Sequence, residues 1–213
     1  MPTCLASYNV CAIRLTRLFE DGEPDFGNDA YSVHVPISIA ETPNTYEVPA
    51  IQQANGCGEL CVDVPAITTN TGYALVVTLC DNDFELFAAL SGGSTISTGG
   101  DVIGYAEPAA GVIPSPFCVE TWQQTRQGDN VGTIVGVQQY KVRVWPYVVF
   151  QREGVTQENA TTPQVWNGTT GANDQIGATG PYGDWPGPVN GIGAEWYSST
   201  LPAPFCGMIA LAS

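Results

Sequence analysis

Few residues in this chain have the types and spacing that chemistry needs. The one histidine is His34. A Ser–His–Asp or Cys–His site requires a histidine that a nucleophile can reach. His34 falls in the alternating stretch YSVHVPISI, on its polar side with Ser32, Pro36 and Ser38. No Gly-x-Ser-x-Gly nucleophile elbow occurs in the chain. A surface histidine is expected there, not a catalyst. Cysteines stand at positions 4, 11, 57, 61, 80, 118 and 206. Three residues separate Cys57 from Cys61, which is not a zinc half-site, and no second pair matches it. The cysteine count is odd, and a chain of this length does not need disulfides as its main support. Reduced thiols are expected, with a Cys57–Cys61 disulfide around Gly58 as the alternative in an oxidising setting. Cys80 sits in an apolar run, where a thiol packs as a small core residue.

Paired carboxylates are the one catalytic device that 21 acidic residues could always supply. Glu120 and Trp122 on one strand could form part of a sugar cleft, but a solvated strand face is the expectation. There is no phosphate loop, no Gly-x-Gly-x-x-Gly and no HExxH. No catalytic, cofactor-binding or metal-ligating residue is assigned. No cofactor is expected, and neither is an enzyme.

The charge excludes a further class. The chain has 213 residues, 21 of them acidic and 6 basic, for a net charge of −15, with Lys141 the only lysine. Gripping nucleic acid takes clustered Lys and Arg that displace counterions, and this surface has none to spare. Solubility or adaptation to salt accounts for the excess as readily as a surface meant to shed phosphates.

The elements that would position these residues are mostly strands. Helix signals are scarce, while glycine (24) and proline (16) are plentiful, which predicts an all-β sandwich or barrel. A chain this long buries roughly 70% of its unfolded surface, enough for a real core. No apolar run reaches transmembrane length, and the opening MPTCLASYNV lacks the features of a signal peptide. Residues 73–107 hold the one convincing helix. Tyr73 to Leu79 reads as a buried strand, and Asp81, Asn82 and Asp83 are all good caps. Asn82 and Glu85 have capping-box spacing. Phe84, Phe87, Ala88 and Leu90 share a face, and Gly92 and Gly93 stop the helix. A Gly/Ser/Thr loop then leads to a strand over 102–105.

Elsewhere the pattern predicts strands over 9–18 (with a basic face carrying Arg14, Thr16 and Arg17), 31–39, 59–64, 117–125, 138–150, 161–166 and 205–211. Pro36 puts the second of these at an edge or bulge, and Pro146 marks a bend in the fifth. Residues 40–58 read as a long arm or extended hairpin. Residues 65–72 and 108–116 read as connections, and 128–136 as a turn-rich insertion. Residues 168–193 form a glycine-rich loop whose aromatics, Tyr182 and Trp185, anchor it to a core. No break in composition divides residues 1–213 into two domains.

Several stretches carry a resemblance: NVCAIRLTRLFEDGEPDFG, GCGELCVDVPA, LCDNDFELFAALSGGSTI, GGDVIGYAEPAAG, CVETWQQ, KVRVWPY and GPYGDWPGP. In this order, the chain resembles the major tail tube proteins of long-tailed bacteriophages, in particular those of actinobacterial hosts. It departs from that pattern over 40–56. The resemblance implies a β-sandwich or barrel with one short helix at 83–90 and long arms. Six copies would form a ring, and stacked rings a hollow tube in the virion tail, assembled in the host bacterial cytoplasm. Its partners would be further copies, a tape-measure protein, and tail terminator and tip proteins. DNA would pass without specific binding, and no membrane is involved. Glu41 and Glu47 are the candidates for a negative lumen lining.

Two rival readings share the β-rich fold. One is another phage component: a capsid decoration protein, tail terminator or tail-tip subunit. The other is a secreted carbohydrate-binding or carbohydrate-active β-sandwich, supported by Trp122, Trp145, Trp166, Trp185 and Trp196 as sugar platforms.

Overall fold

Residues 117–127 and 139–152 carry apolar side chains on both faces, so both faces of the sheet they form need cover. The computed structural model describes residues 5–25, 30–34, 38–54, 56–58, 60–79, 83–127, 139–153, 164–200 and 207–209. In chain order the strands begin with β1 (Leu5–Arg17), β2 (Ala30–His34), β3 (Ser38–Val48), β4 (Ile51–Ala54), β5 (Leu60–Val64) and β6 (Ile67–Leu79). Helix α1 (Phe84–Ser91) precedes β7 (Ser94–Thr98), β8 (Asp101–Ala106), β9 (Phe117–Gln127), β10 (Gln139–Arg152), β11 (Gln164–Gly171), β12 (Ala194–Ser198) and β13 (Gly207–Ile209). The fold is all-β with one short helix.

Nine strands form one antiparallel sheet in the order β13-β2-β1-β9-β10-β11-β6-β3, with β12 also pairing with β10. It curls into a half-barrel. β10 changes neighbour midway: β12 lies beside residues 140–144 and β11 beside residues 147–152. A bulge against β9 falls between Trp145 and Val148, at the expected position of Pro146. The inner face buries Ile13, Leu75, Val119, Trp145, Phe150 and Trp166 against Leu86, Phe87 and Leu90 of α1. The outer face buries Ala12, Cys118, Trp122, Val142 and Val144 under Ile176, Trp185 and Val189.

The helix follows from its ends. Asp83, not Asn82, is the cap: its side chain accepts from the amides of Glu85 and Leu86, both at 3.0 Å. Asn82 and Asp81 lie outside the described residues, as do Cys4, Cys80 and Cys206. Gly92 adopts φ 73°, and the Gly93 amide donates back to the Ala88 carbonyl at 2.8 Å, closing the last turn as a left-handed glycine cap does.

The structure corrects several boundaries. The expected Gly/Ser/Thr loop after the helix is strand β7, which turns into β8 through Gly99 and Gly100 at φ 66° and 97°. Two consecutive positive φ values define the tight turn that matches strand twist. The expected single strand over 31–39 is divided between β2 and β3, with residues 35–37 and Pro36 outside the described set. The expected connection at 65–72 belongs mostly to β6, and the glycine-rich loop begins only after β11, at 172. The insertion over 128–136 lies outside the described residues.

Losing the helix cap leaves two amides without their acceptor. Asp83→Ala is expected to lower unfolding free energy by about 1 kcal/mol, read from urea denaturation, with the fold retained.

Candidate functional site

Two features stand out once the sheet is described: an exposed arm and the charged cluster at its base. β3 and β6 pair from Ser38–Thr78 out to Val48–Ile67, and β4 and β5 prolong the same ribbon from Ile51–Val64. Near its root the ribbon is packed, with Leu75, Val77 and Leu79 in the inner core. It leaves the sheet at Gly72, where a Cβ would stand 2.8 Å from the Thr170 carbonyl, so only glycine fits that approach. Beyond this point no layer of the described residues covers either face. Tyr46, Ile51, Leu60 and Ile67 are 62%, 54%, 60% and 52% exposed. A two-stranded ribbon is marginal in water by itself, so so much wet apolar surface marks a contact surface.

Glu41 and Glu47, the two candidate lining residues, sit on this ribbon in different settings. Glu47 is exposed, opposite Thr68. Glu41 reaches across the curl to β10: its Oε2 accepts from Arg143 Nη2 at 3.0 Å and from Trp145 Nε1 at 3.2 Å. Arg143 also meets Glu195 at 3.4 Å, and Lys141 meets Glu195 at 2.9 Å. Trp145 and Tyr73 lie against the Arg143 guanidinium, at 5.3 and 5.0 Å from its carbon. Burial works against that charge, but the bond to Tyr73 and the two carboxylates outweigh it and raise the pKa. This cluster ties an edge strand to the middle of the sheet. The alternation in KVRVWP puts Lys141, Arg143 and Trp145 on one face, but nothing local names Glu41 and Glu195 as their partners.

The expected basic face of β1 is divided, because Thr16 and Arg17 are adjacent and turn to opposite sides, and the expected solvated face of β9 is covered. Arg14 and Glu120 are buried together. Arg14 Nε and Nη2 meet the two Glu120 oxygens at 2.5 and 2.7 Å, and Nη2 also meets Asp184 at 2.9 Å. Trp185 Nε1 donates to Glu120 at 2.8 Å, and the Arg14 guanidinium carbon lies 3.8 Å from the Tyr182 ring centre. Burial opposes the Arg14 charge, and the two carboxylates more than offset it, so its pKa is raised. Burial also pushes the Cys118 thiol up, helped by the Glu120 charge. Glu120 and Trp122 are thus sealed under the 172–193 segment and form no sugar cleft.

The tryptophans lose their role as platforms for the same reason. Trp122, Trp145, Trp166 and Trp185 are buried and Trp196 is half-buried. The charge distribution is equally one-sided. Among the described side chains, Arg14, Lys141, Arg143 and Arg152 are each ion-paired, and Arg17 donates to Ser115. Glu20, Asp21, Glu23, Glu47 and Asp63 stay exposed. Among the described residues no cluster of His, Cys, Asp and Glu could hold a metal. No helix there is long and apolar enough to cross a membrane. The side chain of His34 lies outside the described set. No family model matches the chain, and no curated protein matches its sequence.

Removing one partner of a buried pair strands the other charge. Glu120→Ala is expected to cost about 3–5 kcal/mol in urea unfolding, and Arg14→Met with Glu120→Leu to recover part of that loss. Cys118 is expected to resist iodoacetamide at pH 8 in the folded chain and to react once urea unfolds it, as peptide mapping would read.

Proposed function

We propose that this chain is a structural virion protein, the major tail tube subunit of a long-tailed phage. Six copies form a ring, rings stack into a hollow tube, and DNA passes through it during ejection. The observation that carries the reading is the arm on an open-edged sheet. β3 ends the strand order with one side unpaired among the described residues, and it runs on into a wet, partly apolar ribbon. An open sheet edge is a pairing template that monomers normally blunt, and a ring closes it. Pro43 within β3 tempers that edge without shortening it.

Charge supports the same reading. A net charge of −15, with Lys141 and most described arginines already ion-paired, leaves little to hold phosphate. Phosphate contacts are additive, so even a few basic contacts per ring would sum over many rings into strong retention. A negative lumen lets DNA slide. Glu47 is the cleaner lining candidate, because Arg143 already offsets Glu41. The partners on this reading are the tape-measure, terminator and tip proteins, with no cofactor and no membrane. The buried tryptophans remove the support for the carbohydrate reading.

Negative-stain electron microscopy at rising protein concentration tests the assembly. Hollow tubes or stacked six-fold rings are expected; closed single rings or trimers that never stack would turn the reading to a decoration or terminator protein. In virions, Glu47→Lys is expected to slow DNA ejection without preventing tube formation. An unchanged ejection rate would remove Glu47 from the lumen. Glu41→Lys is expected to perturb assembly as well, since it also breaks the Arg143 pair.

A further inference from the structure

The arm is interrupted at one level, and by the same four residues on both strands. Val48-Pro49-Ala50-Ile51 runs antiparallel to Val64-Pro65-Ala66-Ile67. Val48 pairs with Ile67 on one side of the interruption and Ile51 with Val64 on the other. The register is therefore unchanged, and neither strand gains or loses a residue. Even so, β3 stops at Val48 and β4 starts at Ile51, while β5 stops at Val64 and β6 starts at Ile67.

The prolines account for the gap. In this register Pro49 falls opposite Ala66 and Pro65 opposite Ala50. Adjacent pairs in an antiparallel ladder alternate between bonded and non-bonded. One of these two pairs is thus a bonded pair, and its proline removes a ladder bond. The other proline turns its missing N–H outward. Among the described residues the ribbon is two strands wide here, so no third strand carries bonds around the gap. No packing layer stiffens it either: residues 49–51 and 64–67 are all exposed.

We propose that this paired Val-Pro-Ala-Ile step is a hinge, on which β4 and β5 swing as one unit against the rest of the molecule. The unit is coherent in itself. Ile51–Val64 and Gln53–Val62 pair on one face, and Gln52 donates to Asp63 at 3.1 Å on the other. Because the register is kept through the step, the swing re-aims Ile51, Val62 and Val64 together without scrambling which face they occupy. The hinge is a property of the single chain and does not depend on the tail tube reading.

Residual dipolar couplings of the backbone amides test it, measured on the monomer in a stretched neutral gel. The couplings of β4 and β5 are expected to miss the alignment tensor defined by β1, β9 and β10, and to be scaled down as a set. Pro49→Val with Pro65→Val restores both donors and favours strand, and is expected to bring those couplings onto the common tensor. A single tensor that fits β4, β5 and the sheet in the unmodified chain overturns the hinge. So does a double variant in which the couplings stay scaled down, since the motion would then not arise at the prolines.

Discussion

The structure depends on one constraint: the β9–β10 pair is apolar on both faces and must be covered twice. On the inner side the sheet covers itself by curling, and α1 fills the space that the curl leaves. On the outer side cover comes from residues 172–193, a segment with no helix or strand of its own. Such a segment lacks a ladder to hold it, so it must be pinned by side chains. Trp185 packs into the outer core while its Nε1 bonds Glu120, and Asp184 beside it bonds Arg14. Gly180 makes room for this anchor, because a Cβ there would stand 2.3 Å from the Trp185 ring. A buried ion pair contributes little net stability against a well-packed apolar substitute, but it holds one arrangement against others. Here that arrangement is the lid of the outer core.

The arm is the counterpart of this economy. Both faces of the β9–β10 pair are covered, yet the ribbon from β3 to β6 stands in water on both sides with apolar side chains along it. The Glu41–Arg143 bond, with Trp145 beside it, is the strut that fixes where the ribbon leaves the body. On the tail tube reading, the strut sets the root of the arm and the proline step frees its outer part. The same pairing of cations with carboxylates that builds the strut also removes positive charge from the surface.

Much of the fold is legible in the residues. Asp83 and Gly92 mark both ends of α1, because a cap accepts from the first amides and glycine alone takes the left-handed turn without strain. The alternation of β10 and the bulge at Pro146 are local properties as well. The anchoring of the glycine-rich loop by Trp185 follows from putting a large aromatic where no regular element exists. Besides the shifted boundaries, the errors concern what covers a strand. The pattern puts Arg14 and Thr16 of β1 on one side with Glu120 of β9, and their polarity by itself reads as a wet side.

Period-two alternation says which residues share a side of a strand; it does not say what lies over that side. A segment more than fifty residues away in sequence decides that Glu120 is buried, and Arg14 from a different strand decides that its charge survives there. Likewise Pro49 and Pro65 each read as a turn signal by themselves. Only their placement in adjacent pairs of one unbroken register makes them a single interruption of one ribbon. The sequence by itself thus determined the helix with its stop and the main strands of the sheet, which are set by neighbours a few residues apart. The tertiary structure alone decided cover, partner and alignment, because these depend on contacts between segments that no local pattern encodes.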